Sequence, residues 1–384
     1  MKTKKMVIRT AALLAAITLT SGAILPVQNC NYSANQFSAY AEGNYTTGEE
    51  GIYKYLKYSD HIEISFCNTS ATSADIPSTI EGLPVTVIGM YAFQNRPLKS
   101  VTIPDTVTEI GHYAFGYCSE LKSVTIPDSV QKIGIRAFES CPALEEVNFP
   151  DHLVEIQSNA FENTAWLKAL QKEDPLVIIN GALVDAQTTK GKVVIPSSVK
   201  YVCPSAFARN LDVTSVVFPS SVSAINDNVF FYCSNLESVE VKGATFIDSM
   251  AFAYCNKLTD VKLSGKLTKI DERAFSDITA RATITFYGSK ETWNKVEKKE
   301  DDPFLKNATY IFDENHIDDP EEDIEGDVNM DGKFNVSDIV LFQQWLLGNP
   351  DSELKNWKAA DFIKDEHLDH FDLIAMRKEL IKRS

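Results

Sequence analysis

The sequence predicts an α/β solenoid of stacked rungs, followed by a small all-α domain of two loop-helix repeats. Two observations predict this architecture. An Ala-Phe dipeptide recurs every 22 or 23 residues in step with a proline, and two acidic 12-residue segments near the C-terminus each precede a helical pattern. The chain of 384 residues, 44% of them hydrophobic, is long enough to build a sizeable core for both parts.

The repeat is marked by two residue types that keep the same phase. One marker is the phenylalanine of an Ala-Phe dipeptide (Val-Phe once), found at Phe93, Phe115, Phe138, Phe161, Phe207, Phe230, Phe252 and Phe275. The other is a proline 11 residues earlier, found at Pro104, Pro127, Pro150, Pro196 and Pro219. One gap of 46 residues, twice 23, interrupts the series between Phe161 and Phe207. A fixed period held by two markers predicts a repeat architecture.

A single unit, residues 121–141, shows why copies must stack. The alternation Val124-Thr125-Ile126 predicts a short strand, and Pro127 ends it because proline lacks a backbone donor. Val130 and Ile133 are expected to turn inward, beside the Ala137-Phe138 pair. One unit cannot bury its apolar face alone, whereas stacked units share a continuous core.

These units resemble the bacterial surface-antigen (BspA-like) class of leucine-rich repeats, over residues 76–312 including a C-terminal cap. The resemblance implies a leucine-rich-repeat solenoid and says little about function. The 46-residue gap predicts one rung rebuilt with a helix and a hairpin. Solenoids need caps at both ends, so residues 42–75 are predicted to form an N-terminal cap. Residues 284–312, with Trp293, are predicted to form the C-terminal one.

The N-terminus predicts an export signal over residues 1–41. A basic start precedes the apolar run Ala11 to Leu25, and Ala39-Tyr40-Ala41 is a cleavage pattern that would leave Glu42 first. The alternative is a retained anchor. Export predicts a secreted, extracellular protein.

Six cysteines remain after removal of the signal: Cys67, Cys118, Cys141, Cys203, Cys233 and Cys255. An even count in an exported chain suggests disulfides. Four of them, however, lie three residues after a repeat phenylalanine and so share one rung position, where a small buried thiol fits. Free buried thiols are the expectation. Bridges between neighbouring rungs and metal binding are the alternatives.

The charge is strongly acidic and unevenly spread. A net charge of −16 argues against nucleic acid or an anionic membrane surface as a partner. Residues 313–325, DENHIDDPEEDIE, predict an extended, self-repelling linker.

The segment after the linker predicts a calcium loop. Oxygen-bearing groups occupy positions 1, 3, 5, 7, 9 and 12 of a 12-residue loop, at Asp327, Asn329, Asp331, Lys333 (through its backbone carbonyl), Asn335 and Asp338. Gly332 stands at position 6, where an EF-hand loop turns sharply. Such carboxylates repel one another until a divalent cation lies between them. Position 12 carries aspartate where EF-hands usually have glutamate, so its bidentate reach is shorter.

A second, atypical loop begins 34 residues later. Its predicted ligands at positions 1, 5, 9 and 12 are Asp361, Asp365, Asp369 and Asp372. Ile363 replaces the oxygen ligand at position 3, and Glu366 replaces the glycine at position 6. A weaker or distorted second calcium site is therefore expected, with a loop that binds nothing as the alternative.

Each loop is predicted to lead into a helix. The first runs from Ser337 to Leu347, with Gly348 and Pro350 as stop signals. Its apolar side is predicted to consist of Ile339, Val340, Phe342, Leu346 and Leu347, and the second helix contains the apolar residues Leu373, Ile374, Met376 and Leu380. The acidic segment before the first loop predicts no helix. Two loop-helix units (F-hands) over residues 326–384 resemble a type I-like dockerin. That resemblance implies calcium-dependent docking onto a cohesin module of a scaffoldin in a cellulosome.

The resemblance also implies which residues touch the cohesin, at loop positions 10 and 11 and helix positions 17 and 18. These are Val336, Ser337, Gln343 and Gln344 in the first half and His370, Phe371, Arg377 and Lys378 in the second. One face is polar and neutral and the other is basic and aromatic, so one face is expected to dominate. The alternative is that Phe371 belongs to the core.

The repeats predict no catalytic centre. Residues 42–312 contain no nucleophile elbow, zinc-protease or phosphate-loop motif, and His61, His112 and His152 lie apart. Recurrent tyrosines near the repeat turn, at Tyr91, Tyr113, Tyr117, Tyr232 and Tyr254, predict either a recognition face for protein or polysaccharide or simple edge packing. The prediction is a secreted noncatalytic cellulosome component that supports degradation of plant cell-wall polysaccharide. The alternative is a glycosyl hydrolase-type enzyme anchored by the dockerin.

Overall fold

The structure is a computed structural model that describes residues 45–68, 70–150, 152, 154–299, 301–316, 325–329, 333–349, 352–363 and 368–383. The predicted signal segment and most of the acidic linker lie outside these residues. Within them, every helix is too short or too polar to cross a bilayer.

An antiparallel sheet begins the solenoid. Strand β1 (Thr46–Glu50) pairs with β2 (Tyr53–Lys57), which pairs with β3 (Ile62–Cys67), and both pairings are antiparallel. Strand β3 then pairs in parallel with β6 (Leu83–Ile88), the first strand of the stack. These three antiparallel strands precede the first regular rung, as expected for a cap.

Each regular rung contributes two short strands joined by turns, without an α-helix in the described part of this region. The strands before the interruption are β4 (Ser73–Asp75), β5 (Thr79–Ile80), β7 (Ser100–Thr102), β8 (Glu109–Ile110), β9 (Ser123–Thr125), β10 (Lys132–Ile133), β11 (Glu146–Asn148) and β12 (Glu155–Ile156). Strand β9 overlaps the predicted strand Val124-Thr125-Ile126 but begins and ends one residue earlier. The second strand of each rung, such as β10, was not predicted, because two residues are too few to show alternation. These second strands form a parallel ladder from β6 through β8 and β10 to β12.

The prediction of a rebuilt rung in the 46-residue gap is confirmed. Helix α1 (Ala165–Glu173) begins where the Thr164 hydroxyl accepts a hydrogen bond from the Leu167 N–H at 3.1 Å. An antiparallel hairpin of β13 (Val177–Ile179) and β14 (Ala182–Asp185) follows, and β14 returns to parallel pairing with β16 (Tyr201–Val202).

Regular stacking then resumes through a six-stranded parallel sheet. Its strands are β15 (Gly191–Val194), β17 (Val213–Phe218), β19 (Ser238–Val241), β21 (Asp260–Leu263), β23 (Thr283–Phe286) and β24 (Thr309–Phe312). The second ladder consists of β18 (Ala224–Ile225), β20 (Phe246–Ile247) and β22 (Lys269–Ile270).

The repeat phenylalanines form two stacks in the core. All eight are at most 2% exposed. Neighbouring rings lie nearly parallel, with centroids 5.0–5.2 Å apart from Phe93 to Phe161 and 4.8–5.3 Å apart from Phe207 to Phe275. At the interruption, Trp166 of α1 packs on Phe161 at 4.9 Å. The spacing between rings matches the rise of one rung, which explains why the same residue recurs in register.

The turn around each phenylalanine requires left-handed backbone. Tyr113 and Tyr117, two residues on either side of Phe115, have φ of 54° and 62°. In this geometry the N–H groups of Tyr113, Phe115 and Tyr117 all donate to carbonyls of the next rung, at 2.8–2.9 Å. These bonds satisfy buried polar backbone and offset the strain of a positive φ.

A short helical segment closes the stack. Helices α2 (Lys290–Trp293) and α3 (Pro303–Asn307) follow β23, with Trp293 buried as predicted for a cap residue. Phe304 of α3 stacks on Phe275 at 4.9 Å and so takes the place of the next repeat phenylalanine.

The six cysteines are free and buried, in agreement with the prediction. Four thiols donate a hydrogen bond to the carbonyl of the phenylalanine one rung earlier: Cys118 to Phe93, Cys141 to Phe115, Cys233 to Phe207 and Cys255 to Phe230, at 3.0–3.1 Å. Burial raises the pKa of Cys118 and Cys141 to about 12. The thiol therefore supplies a contact between rungs that sequence spacing alone did not reveal.

These thiols are expected to be inert in the folded protein, because the thiolate is the reactive form and burial disfavours it. Protein beginning at Glu42 should take up no iodoacetamide in native buffer and six equivalents in denaturant, measured by intact mass. Fewer than six in denaturant without reductant would indicate disulfides and contradict the prediction.

Candidate calcium loops and docking face

The C-terminal region contains two helices and a short 3-10 segment. Helix α4 (Val336–Leu346) begins one residue before the predicted start and ends one residue before the predicted end. A 3-10 helix (Trp357–Ala360) and helix α5 (His370–Arg383) follow. Val328, Ile339, Phe342 and Met376 lie in their common core.

The first loop is closed by the carboxylate of Asp338, at position 12. Its Oδ1 accepts hydrogen bonds from the backbone N–H groups of Val328 (3.1 Å) and Asn329 (3.4 Å), and its Oδ2 accepts one from Asn335 (2.9 Å). The side chain is fully buried. The start and end of the loop are thereby held together, and the bond to Asn335 completes a capping box on α4.

The second loop is closed in the same way despite its atypical sequence. Asp372 is buried, its Oδ1 accepts from the Ile363 N–H at 3.0 Å, and its Oδ2 accepts from the Asp369 N–H at 3.1 Å. Ile363 itself is 52% exposed, as expected for a residue that cannot ligate. The two halves share one loop geometry at their closing carboxylates.

The residues at position 9 cap the helices. Asn335 Oδ1 accepts from the Ser337 N–H at 2.8 Å, and Asp369 Oδ1 accepts from the Phe371 N–H at 2.7 Å. A side-chain oxygen at this place satisfies one of the unpaired N–H groups at the helix start.

The chemistry of the loops fits calcium. Asp327 and Asp361, at position 1, are 5% and 7% exposed, and the closing aspartates are more buried still. Burying four carboxylates in a domain this small is costly unless a cation neutralises them, and hard divalent cations prefer such oxygen ligands.

Two of the predicted ligands, Asp331 and Asp365, lie outside the described residues, as do Gly332 and Glu366. Among the described residues no group of three acidic, histidine or cysteine side chains could hold a metal ion. The ligand sets therefore stay predictions. The side chain of Lys333, at position 7, forms an ion pair with Asp174 of the solenoid at 2.8 Å. The predicted ligand at this position is the backbone carbonyl, which does not take part in that ion pair.

The two loops are joined to each other. The Gly326 N–H donates to the Ala359 carbonyl at 2.9 Å, and the rings of Phe334 and Phe362 lie 5.7 Å apart. Gly326 has a φ of +99°, and a Cβ there would collide with the Phe334 ring. Any other residue would disturb this junction.

All eight residues predicted to touch a partner are exposed: Val336, Ser337, Gln343, Gln344, His370, Phe371, Arg377 and Lys378. Phe371 is 58% exposed, so the alternative that it belongs to the core is wrong. The two faces are not separate, because Arg377 Nη2 donates to Gln343 Oε1 at 2.5 Å. Position 17 of one half thus contacts position 17 of the other.

Exposed apolar residues extend this surface at positions that the sequence interpretation missed. Val340 and Ile374, both at position 14, are 45% and 44% exposed, and Leu347 and Ile381, both at position 21, are more exposed. The expectation that Val340 and Leu347 lie on the packed apolar side of the first helix is wrong, because both side chains are exposed. Comparing the two halves position by position would have identified these pairs.

The solenoid residues singled out earlier have structural contacts. Tyr91 stacks on Tyr113 at 5.2 Å, and Tyr232 stacks on Tyr254 at 4.8 Å. His112 Nδ1 accepts from the Ile135 N–H at 2.8 Å. The exposed fractions of Tyr117 (41%) and Tyr232 (49%) leave recognition and edge packing both open. His61 stacks on Tyr58, and His152 contacts the Val130 carbonyl.

The fold and the two loop-helix units define a class: a leucine-rich-repeat solenoid that carries a docking module. The chain belongs to the family of BspA type leucine-rich repeat proteins, since six copies of that region match residues 63–184 and 186–296, more than half of the chain. Residues 325–381 match the dockerin type I domain. A dockerin implies a cohesin partner, and leucine-rich repeats imply protein interaction. No curated protein matches the chain.

Several solved structures are similar. A leucine rich cell surface protein from Faecalibacterium prausnitzii A2-165 is 24% identical, covers 67% of this chain and 99% of its own, and has a TM-score of 0.32. A leucine rich repeat protein from T. pallidum is 23% identical, covers 56% of this chain and 91% of its own, and has a TM-score of 0.29. The pneumococcal vaccine antigen PcpA is 12% identical, covers 70% of this chain and 98% of its own, and has a TM-score of 0.30. TM-scores this low carry no functional argument.

Proposed function

We propose that this protein is a secreted, noncatalytic component of a cellulosome-like assembly. Its dockerin binds a cohesin module of a scaffoldin when calcium occupies the two loops, the second of them atypical. The leucine-rich repeats bind a protein or polysaccharide ligand and so support degradation of plant cell-wall polysaccharide. The predicted domains are a signal peptide (1–41), N-terminal cap (42–75), solenoid with C-terminal cap (76–312), linker (313–325) and dockerin (326–384).

The observation that carries the proposal is the equivalence of the two loop-helix halves. Asp338 and Asp372 close their loops through the same backbone groups, and the predicted contact positions of both halves are exposed. Calorimetry of the chain from Glu42 with a panel of cohesin modules, in calcium and in chelator, tests it. Failure of every cohesin to bind in calcium would overturn the docking role.

The second face is expected to dominate docking. Phe371 offers an exposed aromatic ring, with Arg377 and Lys378 also exposed, and aromatic and arginine side chains carry most of the binding energy in interfaces. Phe371→Ala should weaken cohesin binding roughly tenfold or more, about 1–2 kcal/mol, by calorimetry.

Two variants serve as comparisons for this prediction. Val336→Ala removes the exposed apolar side chain of the first face, and Glu353→Ala changes an exposed residue outside both loops. Both should change the dissociation constant less than threefold, about 0.6 kcal/mol. A larger loss with Val336→Ala than with Phe371→Ala would assign docking to the first face instead.

A further inference from the structure

The rebuilt rung encloses a cavity that the regular rungs do not require. The cavity has a volume of about 290 Å³ and lies between the rung of Phe161, helix α1 and the loop after β14. This is just below the roughly 300–1,000 Å³ range of ligand pockets, enough for a ligand of about one ring. It coincides with the break between the two phenylalanine stacks.

The lining is unusually rich in amides and carboxylates. Five side-chain amides line the cavity, from Gln157, Asn159, Asn163, Gln171 and Gln187. Two carboxylates (Asp185 and Glu162), one lysine (Lys168) and two hydroxyls (Thr188 and Ser205) are its other polar side chains. An amide both donates and accepts, so the wall suits a ligand whose groups also do both.

Asp185 is the most informative of these groups. It is only 5% exposed, and its Oδ1 accepts hydrogen bonds from Gln171 Nε2 (2.8 Å) and the Gln187 N–H (3.2 Å). Its Oδ2 makes no hydrogen bond with the described residues. Burial, with a smaller contribution from the charge of Glu162, raises the pKa of Asp185 to about 6. The carboxylate is therefore held in place at a cost in stability that grows as the pH rises from the unfolded pKa of 3.8 to about 6 and persists above it.

A second acceptor beside the cavity also lacks a donor. Gln157 Oε1 is buried without a hydrogen-bond partner in the described part of the chain, while Nε2 of the same amide donates to Glu155 at 3.2 Å. Buried acceptors without donors are rare in native proteins and need an explanation. This oxygen is closed off from the cavity as well as from solvent, so Asp185 is the acceptor that a ligand in the cavity can reach.

We infer that this cavity is a binding site for one ring of a neutral saccharide, whose hydroxyl groups donate to Asp185 and accept from the neighbouring amides. A hydroxyl both donates and accepts, which matches the amide-rich wall. The two carboxylates disfavour an anionic ligand, and Lys168 at the rim offsets one of their two charges, which reduces the preference for a cation. The inference rests on the solenoid part of the proposed function and names a ligand class for it.

The test is calorimetric titration of the chain from Glu42 with glucose, xylose, galactose, mannose, cellobiose and xylobiose. At least one should bind with a dissociation constant on the order of 1 mM or tighter. Thr188→Trp places a bulky ring at the exposed rim of the cavity and should abolish binding. Lys190→Trp, two residues away and outside the lining, is the matched control and should bind as the parent protein does.

Asp185→Asn distinguishes a ligand-binding role of Asp185 from a purely structural one, because it should change saccharide binding and stability in opposite directions. It should weaken saccharide binding about tenfold, because a charge-assisted hydrogen bond is lost. It should also raise the melting temperature of the solenoid by a few degrees at pH 7.5. The wild-type carboxylate destabilises the folded protein only above the pKa that Asp185 has in the unfolded chain, because below it Asp185 is neutral in the folded and the unfolded chain alike. The gain in melting temperature should therefore vanish near pH 4.

Three outcomes would overturn the inference. They are no saccharide binding at all, saccharide binding that Thr188→Trp leaves intact, and preferential binding of lysine amide, tested as a cationic probe. Cohesin binding by Thr188→Trp should be unchanged in every case. A failure of this site is therefore distinguishable from a failure of the docking role.

Discussion

Chelation of calcium from the full chain is expected to unfold residues 326–384, abolish cohesin binding and leave the solenoid folded. Domains of this size are marginal without a staple. A ligand that binds only the native state raises the free energy of unfolding by about 4 kcal/mol when it is present at 1,000 times its dissociation constant. This increase is comparable to the whole stability of such a domain. Removing it also leaves buried carboxylates, such as Asp338 and Asp372, without the cation.

Circular dichroism with and without EDTA measures this effect. Helices α4 and α5 contain more than half of the α-helical residues in the described chain, so most of the helical signal should disappear. Excess calcium should restore it. Asp327→Ala should mimic chelation in the first loop, whereas Glu353→Ala, outside both loops, should not. A helical signal that EDTA leaves unchanged would contradict the role of the ion.

Phe138→Ala is expected to destabilise the solenoid by about 3–5 kcal/mol. Phe138 is fully buried and lies between two parallel rings, 5.1 Å from Phe115 and 5.2 Å from Phe161. Truncation leaves a cavity and removes both ring contacts. Because each rung contacts only its neighbours, the loss uncouples the stack on either side.

Urea unfolding followed by tryptophan fluorescence measures this loss, since Trp166 lies at the end of the same stack. Phe138→Leu keeps most of the volume and should cost only about 1–1.5 kcal/mol. Ile135→Ala, at a residue that is 39% exposed in the same rung, should stay within about 0.5 kcal/mol. Equal losses from Phe138→Ala and Ile135→Ala would show that the stack is not the core of the solenoid.

The regular parts of this fold were predictable because their signals repeat. The recurrence of Phe and Pro located the regular rungs, and α4 was predicted within one residue at each end. Two-residue strands such as β10 were not, since pairing with the neighbouring rung defines them and their own sequence does not. The thiol bonds were missed for a similar reason: the spacing showed one rung position, and only the stack shows the acceptor.

The candidate site divides in the same way. Loop positions and exposed contact residues followed from spacing and from the resemblance. The bond between Arg377 and Gln343 and the equivalent bonds of Asp338 and Asp372 follow from how the two halves pack. The cavity beside Asp185 was invisible in the sequence, because it arises where the repeat is absent.

The closing helix α3 bears on how solenoids of this kind change in length. Phe304 stacks on Phe275 at 4.9 Å, within the range of the internal pairs, so the last rung meets the same kind of neighbour as any other rung. A duplicated unit inserted before α3 would present the same phenylalanine ring to Phe304 at the same spacing. Gene segments of one rung can therefore be gained or lost in whole units, without redesign of either end.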